Sequence, residues 1–213
     1  MHTRNGGVMR QWGFYFDQSR CVGCYACSVA CKDWHDIAAG PVQWRRVISK
    51  EWGTYPDVFL SYLSLSCSHC TSPACAQACP AKAISKRSED GIVVVNRDLC
   101  LGNVICNVLC KKACPYGIPQ FSEEPGTKMQ MCTFCLDRIA ADKKPVCVEA
   151  CPMRALDAGP LDELIKQYGE TGEAAGFVYS QRTKPSIIIK PRYQITSPPA
   201  PQTRSESRRY PQD

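Results

Sequence analysis

The chain has 213 residues, which is enough for one sizeable domain or two small ones, and 16 of them are cysteines. Cysteines this dense indicate disulfides, zinc or iron–sulfur clusters, and their spacing has to decide. The N-terminal residues contain neither an apolar signal-peptide stretch nor a twin-arginine pair, which disfavours a secreted disulfide scaffold. The net charge of +6 counts cysteines as neutral, and four clusters held by thiolates would add about −8, so this charge does not indicate nucleic-acid binding.

The first predicted element is a strand at residues 14–17, FYFD, which leads directly into the first cysteine run. This run has the C-x2-C-x2-C-x3-C spacing of bacterial ferredoxins. Its candidate ligands are Cys21, Cys24, Cys27 and Cys31. The first three can surround one face of a compact cluster, and the fourth, about one helical turn further on, can reach a second cluster. Zinc commonly uses paired C-x-x-C units, so we favour iron–sulfur over zinc and over disulfides.

Residues 32–66 connect the first run to the second. Trp34 and His35 follow the last cysteine of the first run, where they could tune a cluster. We favour the simpler interpretation, in which they are a capping aromatic and a surface imidazole.

A predicted strand at 58–66 precedes the second run, whose ligands are Cys67, Cys70, Cys75 and Cys79. His69 lies inside this run, and because four cysteines are already present we expect it beside the ligands or at the surface. A polar turn then leads into a third predicted strand, GIVVV at 91–95.

The third run departs from the ferredoxin spacing. Counting forward from Cys100, Asn103 occupies the second slot, while Cys106 and Cys110 occupy the third and fourth. Counting back from Cys114, which precedes a proline, Cys110 occupies the third slot, but the first two slots contain no cysteine. We favour Cys100, Cys106 and Cys110 on one cluster and Cys114 on its neighbour, because 16 cysteines match the needs of four cubanes. In the alternative, Asn103 replaces a ligand and leaves a 3Fe-4S cluster.

A polar connector at 118–131 leads to the fourth run, whose ligands are Cys132, Cys135, Cys147 and Cys151. The end of this run repeats the end of the second: PVCVEACPMRAL at 145–156 matches PACAQACPAKAI at 73–84. Such an internal copy indicates a duplicated cysteine unit.

The remaining elements are a short helix at 159–169, an edge strand within 184–192 and, from residue 197, an extended Pro- and Arg-rich tail. Several basic residues close to the cysteine runs either offset cluster charge or form a solvated basic face. They are Lys82, Lys111, Lys112, Arg138 and Arg154.

Seven segments together resemble the iron–sulfur electron-transfer subunits of the dimethyl sulfoxide reductase family, which has relatives in nitrate reductase, formate dehydrogenase and thiosulfate or polysulfide reductase. They are CVGCYACSVACK, CSHCTSPACAQACPAKAI, EDGIVVVNRDLC, ACPYGIPQF, CTFCLDRI, CVEACPMRALDAGPLDEL and KPSIIIKPR, within residues 13–192.

The resemblance implies an α+β fold of two interleaved ferredoxin-like modules that hold four 4Fe-4S clusters. One module would comprise 1–55 and 118–170, the other 56–117, and 171–213 would form a C-terminal strand and an extended partner-binding arm. In this family the first run pairs with the fourth and the second with the third. The implied ligand sets, here called sites 1 to 4, are Cys21, Cys24, Cys27 and Cys151; Cys132, Cys135, Cys147 and Cys31; Cys67, Cys70, Cys75 and Cys114; and Cys100, Cys106, Cys110 and Cys79.

We therefore expect a non-catalytic electron conduit. The resemblance implies a large molybdopterin or tungstopterin catalytic subunit as partner, often with a membrane subunit that handles quinones. A cluster subunit of a hydrogenase or other non-molybdenum complex is one alternative, and a zinc-structured binding module with a basic tail is another. No apolar run approaches the ~20 residues of a membrane helix, so any attachment to a membrane is expected through partners, on a side that the sequence leaves open.

Overall fold

The computed structural model of the chain describes residues 10–170 and 174–192. The strands in these ranges are β1 (Trp12–Asp17), β2 (Arg46–Thr54), β3 (Asp57–Leu65), β4 (Ile84–Lys86), β5 (Val93–Val95), β6 (Leu156–Pro160) and β7 (Ile187–Lys190). The helices are α1 (Ala26–Trp34), α2 (Ala74–Gln77), α3 (Gly102–Ile105), α4 (Leu109–Ala113), α5 (Leu136–Ala140), α6 (Val146–Glu149) and α7 (Leu161–Tyr168). All 16 cysteines lie in the described ranges, and they are unpaired thiols.

A three-stranded sheet in the order β6-β1-β7 joins the two ends of the described chain. β1 pairs antiparallel with β6 and parallel with β7, so that Phe14 lies opposite both Ala158 and Ile187. Because side chains alternate along a strand, Phe14 packs into the main core, whereas Tyr15 packs with α7 and stacks on Tyr168 at 3.7 Å between ring centroids. Three predicted elements are confirmed: the strand at 14–17 is part of β1, the edge strand within 184–192 is β7, and the short helix at 159–169 is α7.

Two hairpins complete the strands of the described ranges. In the longer one, β2 and β3 pair antiparallel, with Ile48 opposite Leu63. The sequence predicts only the second of these strands, since residues 32–66 read as a connector up to position 58. In the shorter hairpin β4 pairs with β5, which confirms the predicted strand at GIVVV.

The helices that carry cysteines pack in two pairs. α1 packs against α6 beside β1 and β6, while α2 packs against α4 beside β4. α1 and α6, which are distant in sequence, thus form one helix pair, and α2 and α4, which lie between them in sequence, form the other. The fold is a mixed α/β arrangement, and the module boundaries at 55, 118 and 170 stay a prediction. The extended arm predicted from residue 197 lies outside the described residues.

One main core runs through both helix pairs. Phe14, Phe16, Phe134, Met129 and Met131 are each at most 1% exposed. Buried cysteines from all four runs belong to the same core. Within the described ranges, no helix has the length and apolar character required to cross a membrane.

The close approach of β1 to the segment before β7 depends on a glycine. A Cβ at Gly13 would meet the carbonyl oxygen of Ser186 well inside contact distance, and this oxygen accepts a hydrogen bond from the Phe14 amide. We expect Gly13→Ala to lower the free energy of unfolding by about 1–3 kcal/mol, because backbone must move to relieve the overlap. Thermal unfolding followed by circular dichroism should show a Tm lower by roughly 2–4 °C per kcal/mol.

The matched control is Gly159→Ala. Gly159 lies directly opposite Gly13 in the sheet, but the nearest atom to its added Cβ is the end of the flexible Lys144 side chain, 3.9 Å away. This variant should unfold close to the wild-type temperature. Equal destabilisation by the two substitutions would contradict the packing described for Gly13.

Candidate metal centres

Site 1 is a cavity where the first cysteine run meets the end of the fourth. Cys27 lies in α1, Cys21 and Cys24 in the loop before it, and Cys151 directly after α6. About 320 Å³ of empty space, part of it open to solvent, separates these thiols from apolar residues that include Phe16. The packing of α1 against α6 brings thiols from the two ends of the cysteine sequence together.

Site 4 is a second such cavity, with about 330 Å³ of empty space. Cys79 follows α2, Cys100 precedes α3, Cys106 follows α3 and Cys110 lies in α4, and these four thiols line it. Asn103 is absent from the lining residues. Its side chain instead donates to the Glu124 carbonyl at 3.0 Å and accepts from the Gly126 amide at 2.7 Å, so it holds the loop that follows.

The cysteines of sites 2 and 3 are recognised by their mutual electrostatic effects, and all four cysteines of site 2 are buried. Burial raises the pKa of Cys31 strongly, and Cys132, Cys147 and Cys135 raise it further. In site 3, burial raises the pKa of Cys75 to about 12, with added contributions from Cys114 and Cys70. The pKa of Cys67 is raised in the same way by burial and then by Cys75 and Cys70.

The four sites follow one another in a row. After burial, which is the largest cause, the pKa of one cysteine is raised further by a cysteine of the adjoining site, which requires the two to be close. The adjoining pairs are Cys27 and Cys147 between sites 1 and 2, Cys67 and Cys132 between sites 2 and 3, and Cys75 and Cys110 between sites 3 and 4.

Backbone amides point at several of the sulfurs, and they do so in a repeated way. The Ala83 amide lies 3.3 Å from the Cys79 sulfur, and the Ala155 amide lies 3.3 Å from the Cys151 sulfur, at equivalent positions of the internal repeat. The His69 amide lies 3.4 Å from the Cys67 sulfur, and the Phe134 amide lies 3.4 Å from the Cys132 sulfur, so in both cases the donor is two residues beyond the cysteine. Amide hydrogen bonds favour the thiolate that a metal requires.

The interior between the sites also contains donors without a partner. The ring of His69 is fully buried, and its Nδ1 accepts a hydrogen bond from the Val93 amide at 3.1 Å, so Nε2 carries the ring hydrogen. Burial lowers the pKa of His69 to about 3, so this ring is neutral. Within the described ranges, His69 Nε2 and Arg45 Nε are buried without an acceptor.

These features fit a sulfur-rich cluster. Four thiols per site would supply the ligands of a cubane, and its inorganic sulfides would accept hydrogen bonds from unpartnered donors. In the described ranges no three His, Cys, Asp or Glu side chains meet closely enough for a single metal ion. The thiols of sites 1 and 4 instead surround cavities.

The structure corrects the interpretation of His35 as a surface imidazole. Its ring is half-buried, lies 4.7 Å from that of Trp44, and places Nε2 3.3 Å from the Cys135 sulfur. Trp34 is exposed and donates from its indole nitrogen to Asp137 at 2.8 Å. His69 lies beside the ligands, which confirms the first of its two expected positions.

The basic residues named from the sequence divide into two groups. Lys82, Lys111, Lys112 and Arg154 are exposed, which agrees with the solvated alternative for these four. Arg138 is buried, but it pairs with Glu149 and lies over the Trp34 ring. The buried cation nearest to several cysteines is Arg45, which sequence reasoning missed. Its only sequence signal is its position in an Arg-Arg pair that opens a strand.

Comparisons with known proteins agree with this picture of cysteine-lined sites. A 4Fe-4S dicluster domain model matches residues 58–161, and a 4Fe-4S binding domain model matches residues 12–33. The chain is therefore an iron–sulfur protein of the 4Fe-4S ferredoxin type.

Its relatives define the family more narrowly. The chain is 47% identical over 189 residues to the B component of anaerobic dimethyl sulfoxide reductase of Escherichia coli K12, covering 85% of this chain and 89% of that protein. It is 40% identical to the corresponding component of Haemophilus influenzae, covering 86% and 90%, and 36% identical to the B component of sulfite dehydrogenase of Allochromatium vinosum, covering 69% and 68%. This protein belongs to the family of dimethyl sulfoxide reductase B components, which confirms the resemblance found in its sequence.

His35 provides a test of how side chains act on the sulfurs. We expect His35→Phe to lower the reduction potential of one cluster, because it keeps an aromatic ring beside Trp44 but removes the nitrogen at 3.3 Å from Cys135. Redox titration followed by electron paramagnetic resonance measures this shift. Trp34→Phe, which alters the neighbouring exposed ring, should leave all potentials unchanged. An unaltered potential in His35→Phe would show that Nε2 does not donate to this sulfur.

Proposed function

We propose that the chain relays single electrons through four 4Fe-4S clusters, between a molybdopterin-type catalytic subunit and a second redox partner. The observation that carries this proposal is the row of four cysteine groups, in which each group adjoins the next. When bound, each cluster supplies a centre that accepts and releases one electron at a potential set by charge, hydrogen bonds and exposure.

The residues of the chain would hold and insulate these centres. Cysteines of sites 1 to 4 would supply the thiolates, with Cys151 and Cys31 exchanged between the first and fourth runs, and Cys114 and Cys79 between the second and third. Apolar residues such as Phe16 at site 1 and Met129 at site 4 would keep water from the sulfurs. Backbone amides would stabilise the thiolates.

We propose a 4Fe-4S rather than a 3Fe-4S cluster at site 4. Cys79, Cys100, Cys106 and Cys110 line one cavity, so four thiols are available there. Asn103 is bonded to the loop around Gly126, which makes a role as replacement ligand unnecessary.

The surfaces around the two terminal sites support one partner at each end of the row. Beside site 1, Tyr25 and Val29 are 47% and 65% exposed. Beside site 4, Val104 and Ile105 are 64% and 74% exposed. Apolar side chains this exposed are typical of surfaces that a partner covers. The relatives are named as components of a reductase and of a dehydrogenase, which supports a catalytic subunit as one partner.

We propose a subunit that exchanges electrons with quinones as the second partner, which would attach the complex to a membrane. In this arrangement the chain performs no substrate chemistry of its own. Its activity would be that of the complex.

The function is tested on protein purified anaerobically, with and without co-purifying subunits. We expect about 16 iron atoms per chain, four per cubane. The chain alone should take up single electrons from a reductant without turning over a substrate. The native complex should contain a large pterin-bearing subunit and show steady turnover. Iron for two clusters or fewer, or turnover by the chain alone, would overturn the proposal.

The ligands of the irregular third run are tested by a pair of substitutions. Cys110→Ser removes a thiol that lines site 4, so one cluster should be lost or converted to a 3Fe-4S form, seen as a changed resonance spectrum and lower iron content. Asn103→Ala removes only the amide that binds the 124–126 loop and should keep four clusters. The assignment fails if Cys110→Ser leaves all clusters intact or if Asn103→Ala loses one.

A further inference from the structure

Arg45 is a buried cation whose direct partners are all neutral. It is 3% exposed, lies just before β2, and its guanidinium sits 4.8 Å from the centre of the Phe14 ring. Nη1 donates to the Ser64 hydroxyl at 3.1 Å and Nη2 to the Ser66 hydroxyl at 2.7 Å. No carboxylate of the described ranges forms a salt bridge with it, and its Nε has no acceptor there.

Such a position is costly unless negative charge lies close by. A buried charge loses its hydration, and hydroxyl groups compensate only part of this loss. Arginine stays protonated in proteins, so it does not escape the cost by becoming neutral. The interior around Arg45 must therefore provide an anion.

The two serines connect Arg45 to two different sites. The Ser64 hydroxyl lies 3.4 Å from the sulfur of Cys27, which belongs to site 1. The Ser66 hydroxyl lies 3.5 Å from the Cys67 carbonyl, and it favours the thiolate form of Cys132, which belongs to site 2, against the burial that raises the pKa of this thiol. The guanidinium of Arg45 is thus linked to site 1 through the Ser64 hydroxyl and to site 2 through the Ser66 hydroxyl.

The charges agree with this geometry. Burial opposes the protonated form of Arg45, but the cysteines of the two sites, when charged as thiolates, outweigh it and raise its pKa. They are Cys147, Cys27, Cys132 and Cys31. All four belong to site 1 or site 2.

We propose that Arg45 is the shared counter-cation of sites 1 and 2, and that it raises the reduction potentials of both clusters. This inference rests on the proposed function, since it requires clusters in these two sites. An electron delivered by a redox partner adds one negative charge to a cluster. A nearby cation in a low-dielectric interior stabilises the reduced form more than the oxidised form, so reduction becomes easier.

Arg46 shows that the position, not the mere presence of arginine, decides the effect. Its side chain donates from Nη2 to the Tyr116 carbonyl at 2.7 Å. Burial lowers the pKa of Arg46, and the cysteine that opposes this is Cys114 of site 3. Two consecutive arginines therefore serve different sites, which makes Arg46 the matched control.

The test is a redox titration of the holoprotein, followed by electron paramagnetic resonance, on Arg45→Met. We expect two of the four midpoint potentials to shift to more negative values, and iron content to confirm that all clusters are present. Ser64→Ala and Ser66→Ala identify the two signals, because each should lower only one of them. Arg45→Lys retains the charge, so both potentials should stay closer to wild type than in Arg45→Met.

Several outcomes would overturn the inference. They are unchanged potentials in Arg45→Met, an equal shift of all four clusters, a shift in Arg45→Lys as large as in Arg45→Met, or a shift of the same two signals in Arg46→Met. If Arg45→Met loses its clusters, the two serine variants decide, and the inference fails if neither lowers a potential. Wild-type protein with fewer than four clusters would refute the proposed function instead, so the two failures are distinguishable.

Discussion

The burial of thiols in groups of four is the constraint on which the rest of the structure depends. Burial raises the pKa of Cys132 and of Cys70 to about 11, so these side chains are protonated and uncharged near neutral pH without metal. Metal binding must then release protons, and the free energy of binding becomes part of the free energy of folding. A protein whose main core is built around sulfurs therefore depends on its metal to complete that core.

The internal repeat explains how a short chain reaches this arrangement. Lys82 and Arg154, at equivalent positions of the two copies, both adopt a left-handed backbone, with φ of 50°. This turn brings the following amide, that of Ala83 or Ala155, back to the sulfur of the Cys-Pro unit. The duplicated sequence thus encodes a duplicated local geometry, and the two copies end up in different helix pairs.

Local spacing made the four cysteine runs and several strands recognisable in the sequence, but features created by distant contacts were not predictable. β2 was missed because its sequence, RVISKEWGT, alternates weakly, and it is ordered by pairing with β3. His35 was placed at the surface because nothing near it in sequence reveals that the fold brings Cys135 to its ring. Arg45 was missed for the same reason, since its partner Ser64 lies in β3 and its partner Ser66 lies directly after β3.

Cys24 is the exposed member of the 16 cysteines, and it lies at one end of the row. Thiolates react with oxidants according to their accessibility, so oxidative damage should begin at site 1 and reach site 2, whose four cysteines are all buried, last. The neighbouring side chains of Val22 and Tyr25 are exposed too, and the partner proposed for this end of the row would cover the same surface. Assembly would then act as a shield against oxygen, and a molecule that has lost its partner would be the first to lose iron.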